Sequence, residues 1–131
     1  MTQRKHQEVH GNRGVNGIDG QLASAIGLAM GTTRKVTCVL GDVTTFYDLS
    51  SLREMPDNLN LIIMNNKGGR IFDMLKLDKR IVLEHGNDFK DICAGLKLSY
   101  SQDLGDFDKV QVLELFPARE QGEMFLKEWN K

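Results

Sequence analysis

Two apolar runs, each followed at once by polar residues, constrain the fold of this chain more than any other feature. The first run leads into Gly41-Asp42, and the second leads into Asn65-Asn66 about two dozen positions later. Their apolar, β-branched composition predicts buried strands of a parallel sheet, and ligands bind at the carboxyl ends of such strands. A carboxylate oxygen beside an amide oxygen at that edge would suit a hard cation such as magnesium.

Strands and helices alternate along the chain, which predicts an α/β domain of three layers with a largely parallel sheet. A glycine-rich turn at 12–20 leads into a helix that ends near Met30, and Asp19 is its predicted N-cap. Gln111 and Glu114 alternate with apolar residues, which predicts an edge or half-exposed strand. The other predicted elements are strands at 36–40, 59–64 and 110–116, helices at 44–55, 89–93 and 120–129, and an extended segment or short strand at 96–100.

Composition narrows the class of protein. The chain has 131 residues, enough for one domain whose core needs no disulfides. Its 17 basic and 18 acidic residues give a net charge of −1, which argues against nucleic acid as an electrostatic partner. No apolar run approaches the roughly 20 residues of a membrane span, and the polar first ten residues lack the apolar core of a signal peptide. These features predict a cytoplasmic protein without a membrane or nucleic-acid partner.

The cysteines and histidines give no sign of a disulfide framework or a zinc site. Cys38 and Cys93 lie far apart in apolar surroundings, which predicts buried, reduced thiols. His6 and His10 stand four residues apart without a third ligand nearby, and His85 is isolated in sequence. None of the three histidines therefore predicts metal binding.

The residues alone leave two interpretations open for the glycine-rich turn and for Asp42. Gly14, Gly17 and Gly20 recur at every third position, so they do not match the spacing of a Rossmann fingerprint. Such glycines suit a purely structural turn, and they equally suit close approach of the backbone to a ligand. Asp42 is likewise an ordinary helix cap unless the asparagine pair completes a site with it.

Several segments together resemble one known family. Gly41-Asp42 and Asn65-Asn66 resemble the GDG…NN cofactor motif of thiamine-diphosphate enzymes, with Val43 in place of the second glycine. With three further segments, the chain is similar to the C-terminal, cofactor-binding domain of 2-succinyl-5-enolpyruvyl-6-hydroxy-3-cyclohexene-1-carboxylate synthases, enzymes of menaquinone biosynthesis. The resemblance covers roughly residues 11–72. The further segments are Asn12-Arg13-Gly14-Val15-Asn16-Gly17-Ile18-Asp19-Gly20, Tyr47-Asp48-Leu49 and Asn65-Asn66-Lys67-Gly68-Gly69-Arg70-Ile71-Phe72.

The resemblance implies a thiamine-diphosphate-binding fold over residues 1–131 that holds thiamine diphosphate and Mg²⁺. On this resemblance, the domain is expected to be truncated at its N-terminal side and the chain to lack the pyrimidine-binding domain. The whole enzyme is a transferase that decarboxylates 2-oxoglutarate and adds the succinyl semialdehyde unit to isochorismate. In the family, the glutamate that activates the cofactor lies on the pyrimidine-binding domain of the other subunit, and no glutamate of this chain is assigned that role. The isolated chain is expected to be catalytically poor, to need a complementing domain or subunit, and to form a homo-oligomer such as a dimer.

The resemblance also implies roles for individual residues. Arg13 would contact a substrate carboxylate, for which a guanidinium fork is well suited, and Ile18 would support the bent cofactor. Magnesium would be held by the Asp42 carboxylate, the Asn66 side chain and the Gly68 carbonyl. The other implied cofactor-binding positions are Gly41, Gly69, Ile71 and Phe72, of which the last two equally suit plain core packing.

Three interpretations of the function stay open. The first is a fragment or a split or truncated version of the synthase, favoured by Arg13 and by Tyr47-Asp48-Leu49. The second is the small subunit of another thiamine-dependent 2-oxo-acid decarboxylase. The third is a non-catalytic binding or assembly module, which Val43 and a short active-site loop allow. Whether Lys67 and Arg70 contact the ligand is open as well.

Overall fold

The computed structural model describes residues 8–12, 17–69 and 83–118 of the chain. Within these ranges, every helix falls short of the length and apolar character that a membrane crossing requires. The helix predicted at 120–129 lies outside the described residues. In chain order the elements are α1 (Gln21–Met30), β1 (Val36–Gly41), α2 (Asp42–Tyr47), a 3-10 helix (Leu49–Glu54), β2 (Leu59–Met64), α3 (Lys90–Gly95), β3 (Tyr100–Ser101), a second 3-10 helix (Leu104–Asp106) and β4 (Val112–Leu115).

The four strands form one parallel sheet in the order β1-β2-β4-β3. Val36 pairs with Leu59 at the start of β1, and Leu61 pairs with Val112 at the start of β4. Parallel strands need crossover connections, and helices supply most of them here. The parallel sheet with its flanking helices confirms the predicted α/β class and is consistent with a three-layer domain.

One face of the sheet carries the hydrophobic core. Leu59, Leu61 and Ile63 alternate along β2 on this face and are completely buried. β1 alternates between half-buried and exposed residues because every second side chain faces the same core. The α-helices and the first 3-10 helix pack against these strands. The buried core residues are Leu22, Ile26, Ala29, Leu52, Leu59, Leu61, Ile63, Phe89, Cys93 and Val112.

The connection between β3 and β4 crosses the opposite face. It runs back toward the middle of the sheet, so a right-handed crossover places it on the other side from the β1-to-β2 connection. Asn60 points to that second face, since its neighbours Leu59 and Leu61 point to the core. Its Nδ2 donates to the carbonyl oxygens of Phe107 at 3.0 Å and Val110 at 3.1 Å. One side chain of β2 thus fixes the returning connection.

The strand predicted at 110–116 forms as Val112–Leu115, but the prediction that it is an edge or half-exposed strand is wrong. β4 lies inside the sheet, with β2 on one side and β3 on the other. Glu114 is completely buried. Its burial is stable because its carboxyl oxygens accept hydrogen bonds from three groups inside the fold. An exposed acidic residue and a buried, fully hydrogen-bonded one look the same in an alternating sequence pattern, and this ambiguity misled the prediction.

The N-terminus of α1 is held by a residue from a later segment. Gly20 is the N-cap, with φ +74°, and it has no side chain to offer. Asp48 supplies the acceptors instead: its Oδ1 accepts from the Gly20 N–H at 2.5 Å, and its Oδ2 accepts from the Leu22 N–H at 2.7 Å. The predicted cap, Asp19, does not take this position. A buried carboxylate at a helix N-terminus is favoured by these N–H donors and by the helix dipole.

We predict that Asp48→Ala lowers the free energy of unfolding by about 1–3 kcal/mol, since two N–H groups at the start of α1 lose their acceptors. Urea denaturation of the chain measures this change. Asp57→Ala, at an exposed turn, is the matched control and is expected to stay within about 0.5 kcal/mol of the unsubstituted chain. Equal effects of the two substitutions would contradict the capping role.

Candidate cofactor and metal site

The carboxyl ends of β1 and β2 lie side by side. Gly41 pairs with Met64 at the last position of the two strands. Asp42 follows β1 directly, and Asn65 follows β2 directly, so both residues leave the sheet at the same edge. This is the arrangement that the sequence predicted.

Asp42 is the centre of this edge. Its side chain is almost completely buried, at 3 % exposure. Oδ1 accepts from the N–H of Val43 at 2.9 Å, and Oδ2 accepts from the N–H of Gly68 at 2.9 Å. Oδ2 also lies 3.0 Å from Nε2 of His85. A buried carboxylate is stable only where donors of this kind replace water, so three separate segments meet at one side chain.

Gly68 is required at its position by its backbone conformation. Its φ of +139° is one that other residues rarely adopt. A Cβ atom built on it would lie 2.0 Å from the carbonyl oxygen of Leu83. Only glycine allows the chain to approach Leu83 this closely while donating its N–H to Asp42.

Backbone hydrogen bonds between residues 67–69 and 83–85 place His85 at the site. The N–H of Gly69 donates to the carbonyl of Leu83 at 2.8 Å, and the N–H of His85 donates to the carbonyl of Lys67 at 3.2 Å. These bonds align the segment after β2 with a later segment in antiparallel fashion. Sequence reasoning missed His85, because it stands 43 positions from Asp42 and no spacing rule connects the two.

Asn65 anchors the turn that holds the predicted magnesium ligand Asn66. Asn65 is 1 % exposed. Its Nδ2 donates to Glu114 Oε1 at 2.5 Å and to the carbonyl of Asn87 at 3.1 Å, and its Oδ1 accepts from the N–H of Lys67 at 3.0 Å. Asn66 comes next, with its Oδ1 atom buried. Asn65 therefore has a structural role at this turn.

Glu114 on β4 stabilises this edge by accepting hydrogen bonds. Beside Asn65, its carboxylate accepts from the N–H of Phe89 at 3.1 Å and from the hydroxyl of Tyr100 at 2.5 Å, both at Oε2. Burial and the hydrogen bond to Glu114 raise the pKa of Tyr100 well above its usual value. The phenol therefore remains a neutral donor at ordinary pH.

The two cysteines take no part in the site. Both are free, Cys93 in the core and Cys38 half-buried on β1. Burial raises the pKa of each thiol to about 11, and the charge of Glu114 adds to the effect on Cys93. Protonated thiols are poor nucleophiles. The burial of Cys93 agrees with its predicted packing role, whereas Cys38 is only half-buried.

The side chain of Lys67 contacts a backbone carbonyl and an aromatic ring beside the site. Its Nζ donates to the carbonyl of Asn87 at 3.0 Å and lies 4.6 Å from the centre of the Phe116 ring. Its backbone has φ +66°, an uncommon value for a residue with a side chain. Lys67 therefore joins the turn after β2 to the end of β4.

The other predicted site residues differ in how far the structure locates them. Gly41 and Gly69 flank Asp42 and Gly68, and Ile18 is half-buried just before α1. Arg13, Arg70, Ile71 and Phe72 lie outside the described residues. The contacts that all of these residues make with a cofactor remain predictions.

The predicted magnesium ligands at this edge are all hard oxygens. They are the Asp42 carboxylate, the Asn66 side-chain oxygen and the Gly68 carbonyl, which are the ligand types that Mg²⁺ prefers, and their binding to an ion remains a prediction. Within the described ranges, no group of three or more His, Cys, Asp or Glu residues is placed to hold a metal ion. The chemistry of the edge therefore fits Mg²⁺ and does not fit a zinc centre.

Comparison with known proteins gives one consistent result. No family model matches the chain. It is 40% identical over 101 residues to the 2-succinyl-5-enolpyruvyl-6-hydroxy-3-cyclohexene-1-carboxylate synthase of Haemophilus influenzae (strain PittEE), covering 71% of this chain and 18% of that protein. The resemblance to these synthases is confirmed. The proteins of the same name from Desulfotalea psychrophila and Mannheimia succiniciproducens are 51% identical over 69 residues and 35% identical over 119 residues.

The aligned part of the chain spans about a fifth of the length of these relatives or less. It corresponds to 13% of the Desulfotalea protein and 21% of the Mannheimia protein, and to 51% and 84% of this chain. The similarity therefore concerns one region of a much longer enzyme.

We predict that Gly68→Ala destabilises the chain by about 2 kcal/mol or more, because the added Cβ would collide with the Leu83 carbonyl at an unfavourable φ. Thermal unfolding followed by circular dichroism measures the loss. Gly86→Ala is the matched control, since a Cβ there meets no atom within 4 Å. A Gly68→Ala protein that melts with the Gly86→Ala protein would show that the close approach is not needed.

We predict that Glu114→Gln lowers the free energy of unfolding by about 2–4 kcal/mol, since an amide NH₂ would face one of the three buried donors. Chemical denaturation provides the measurement. Glu84→Gln is the matched control, since it removes the same carboxylate charge at a position that is exposed to solvent. Similar stabilities of the two variants would contradict the role given to Glu114.

Proposed function

We propose that this chain is the thiamine-diphosphate- and Mg²⁺-binding part of a menaquinone-pathway synthase. That enzyme would decarboxylate 2-oxoglutarate and add the succinyl semialdehyde unit to isochorismate. One observation carries the proposal: the buried carboxylate of Asp42 meets the backbone of Gly68, two residues after Asn66, at the carboxyl edge of a parallel sheet. The similarity to named synthases supports the choice of enzyme.

Asp42, Asn66 and Gly68 would hold Mg²⁺ through a carboxylate, an amide oxygen and a carbonyl oxygen. An ion with so few protein ligands keeps positions for substrate phosphates, as Mg²⁺ commonly does, and the diphosphate of the cofactor would fill them. Thiamine diphosphate supplies a nucleophilic carbon when bound, and the protein binds and orients it. The chain's own contribution is to exclude water from the Asp42 carboxylate and to hold this group in one position.

Activation of the cofactor would come from outside this part of the enzyme. Among the described glutamates, Glu114 alone is buried. Its oxygens are taken by Asn65, Phe89 and Tyr100, so it is not available to act on a cofactor ring. We therefore propose that a pyrimidine-binding domain or subunit supplies the activating glutamate.

Calorimetric titration of the chain with thiamine diphosphate, with and without MgCl₂, tests the proposal. We expect binding that requires Mg²⁺ and that Asp42→Asn weakens by about tenfold or more, because the substitution removes the charge of a ligand while keeping an acceptor for Gly68. Asp57→Asn, at an exposed turn, is the control and is expected to bind as the unsubstituted chain does.

Two results would count against the proposed function. One is binding that does not depend on Mg²⁺. The other is no binding at all, both by the chain alone and after addition of the pyrimidine-binding domain of a relative such as the Haemophilus synthase. The second result would favour a non-catalytic module.

A further inference from the structure

We propose that His85 restricts Asp42 to a single metal-binding oxygen and thereby favours Mg²⁺ over Ca²⁺ at this site. The inference rests on the proposed function, since it takes Asp42 as a metal ligand. It concerns a residue that sequence motifs do not include and that only the fold brings to the site.

The hydrogen bonds of Asp42 distinguish its two oxygens. Each carboxylate oxygen has two lone pairs. Oδ2 meets two donors, the N–H of Gly68 at 2.9 Å and Nε2 of His85 at 3.0 Å, so both of its lone pairs are used. Oδ1 meets one donor among the described residues, the N–H of Val43 at 2.9 Å. Asp42 therefore offers one oxygen, Oδ1, to a cation.

His85 is held firmly enough to impose this pattern. Its side chain is 10 % exposed. The ring stands edge-on to Phe46, with centres 5.0 Å apart, and Phe46 stacks on Phe89 at 4.4 Å. Its backbone N–H donates to Lys67. The N–H groups of Val43 and Gly68 already use the carboxylate of Asp42 as an acceptor, so we assign the proton of His85 that faces it to Nε2.

The number of oxygens that a carboxylate offers matters differently to the two ions. Mg²⁺ demands near-ideal octahedral geometry, whereas Ca²⁺ tolerates more ligands and binds carboxylates through one oxygen or both. A carboxylate with Oδ2 occupied suits Mg²⁺. Loss of the His85 donor would free one lone pair of Oδ2, allow both oxygens to bind, and so shift the preference toward Ca²⁺.

Metal titrations of the 131-residue chain at saturating thiamine diphosphate and fixed pH test this inference. His85→Phe keeps a ring against Phe46 but removes the donor, and His85→Gln restores an N–H at a similar reach. His10→Phe, at an exposed position, is the matched control. Dissociation constants for MgCl₂ and CaCl₂ are measured by calorimetry, and the melting temperature of each metal-free variant is recorded.

We expect His85→Phe to weaken Mg²⁺ binding by about tenfold or more, as loss of a partner that orients a ligand typically does, and Ca²⁺ binding by less than about threefold. The ratio of the two constants should return to that of the unsubstituted chain in His85→Gln and remain unchanged in His10→Phe. Should His85→Phe fail to fold, His85→Asn replaces it, since its shorter amide does not reach Oδ2.

The inference would be overturned if His85→Phe weakened the binding of Mg²⁺ and Ca²⁺ equally. It would also be overturned if His85→Gln showed the same two dissociation constants as His85→Phe. His85 would then contribute packing alone. Absence of Mg²⁺-dependent binding by the unsubstituted chain, both alone and after addition of the pyrimidine-binding domain of a relative, is a separate outcome. It would remove the proposed function, and this inference with it.

Discussion

A buried carboxylate on β4 holds the carboxyl edge of the sheet together. Glu114 accepts from Asn65 after β2, from the N–H of Phe89 before α3, and from Tyr100 on β3. Removing a carboxylate from water costs several kcal/mol unless donors replace the water, and here three donors do so from three elements. Each element must be in place for the carboxylate to be stable, so Glu114 makes the folding of this edge cooperative.

The same principle operates at two more carboxylates. Asp42 and Asp48 lie at the two ends of α2, and each accepts N–H groups from a segment that contains glycine. Asp42 receives the N–H of Gly68, and Asp48 receives those of Gly20 and Leu22. One short helix therefore ties together the two glycine-containing segments that the sequence indicated as parts of a site. The glycines allow the backbone to approach the two aspartates closely, and the carboxylates stabilise that approach by accepting hydrogen bonds from the backbone N–H groups.

Local patterns in the sequence were enough to predict the parallel sheet and the meeting of its strand ends. Apolar runs specify β1 and β2, and strand polarity then forces Asp42 and Asn65 to the same edge. The contacts of Glu114, Asp48 and His85 were not predictable in this way. Each joins residues at least 14 positions apart and depends on packing that no periodicity encodes. Polar residues of this kind resemble surface residues until the fold supplies their partners.

The backbone pairing between Gly69 and Leu83 makes the surroundings of Asp42 a joint property of two distant segments. Hydrogen bonds of 2.8 and 3.2 Å join Gly69 to Leu83 and His85 to Lys67. The first segment brings the N–H of Gly68 to Asp42 Oδ2, and the second brings Nε2 of His85 to the same oxygen. A change that separates the two segments would therefore be felt at Asp42, although neither segment adjoins it in sequence.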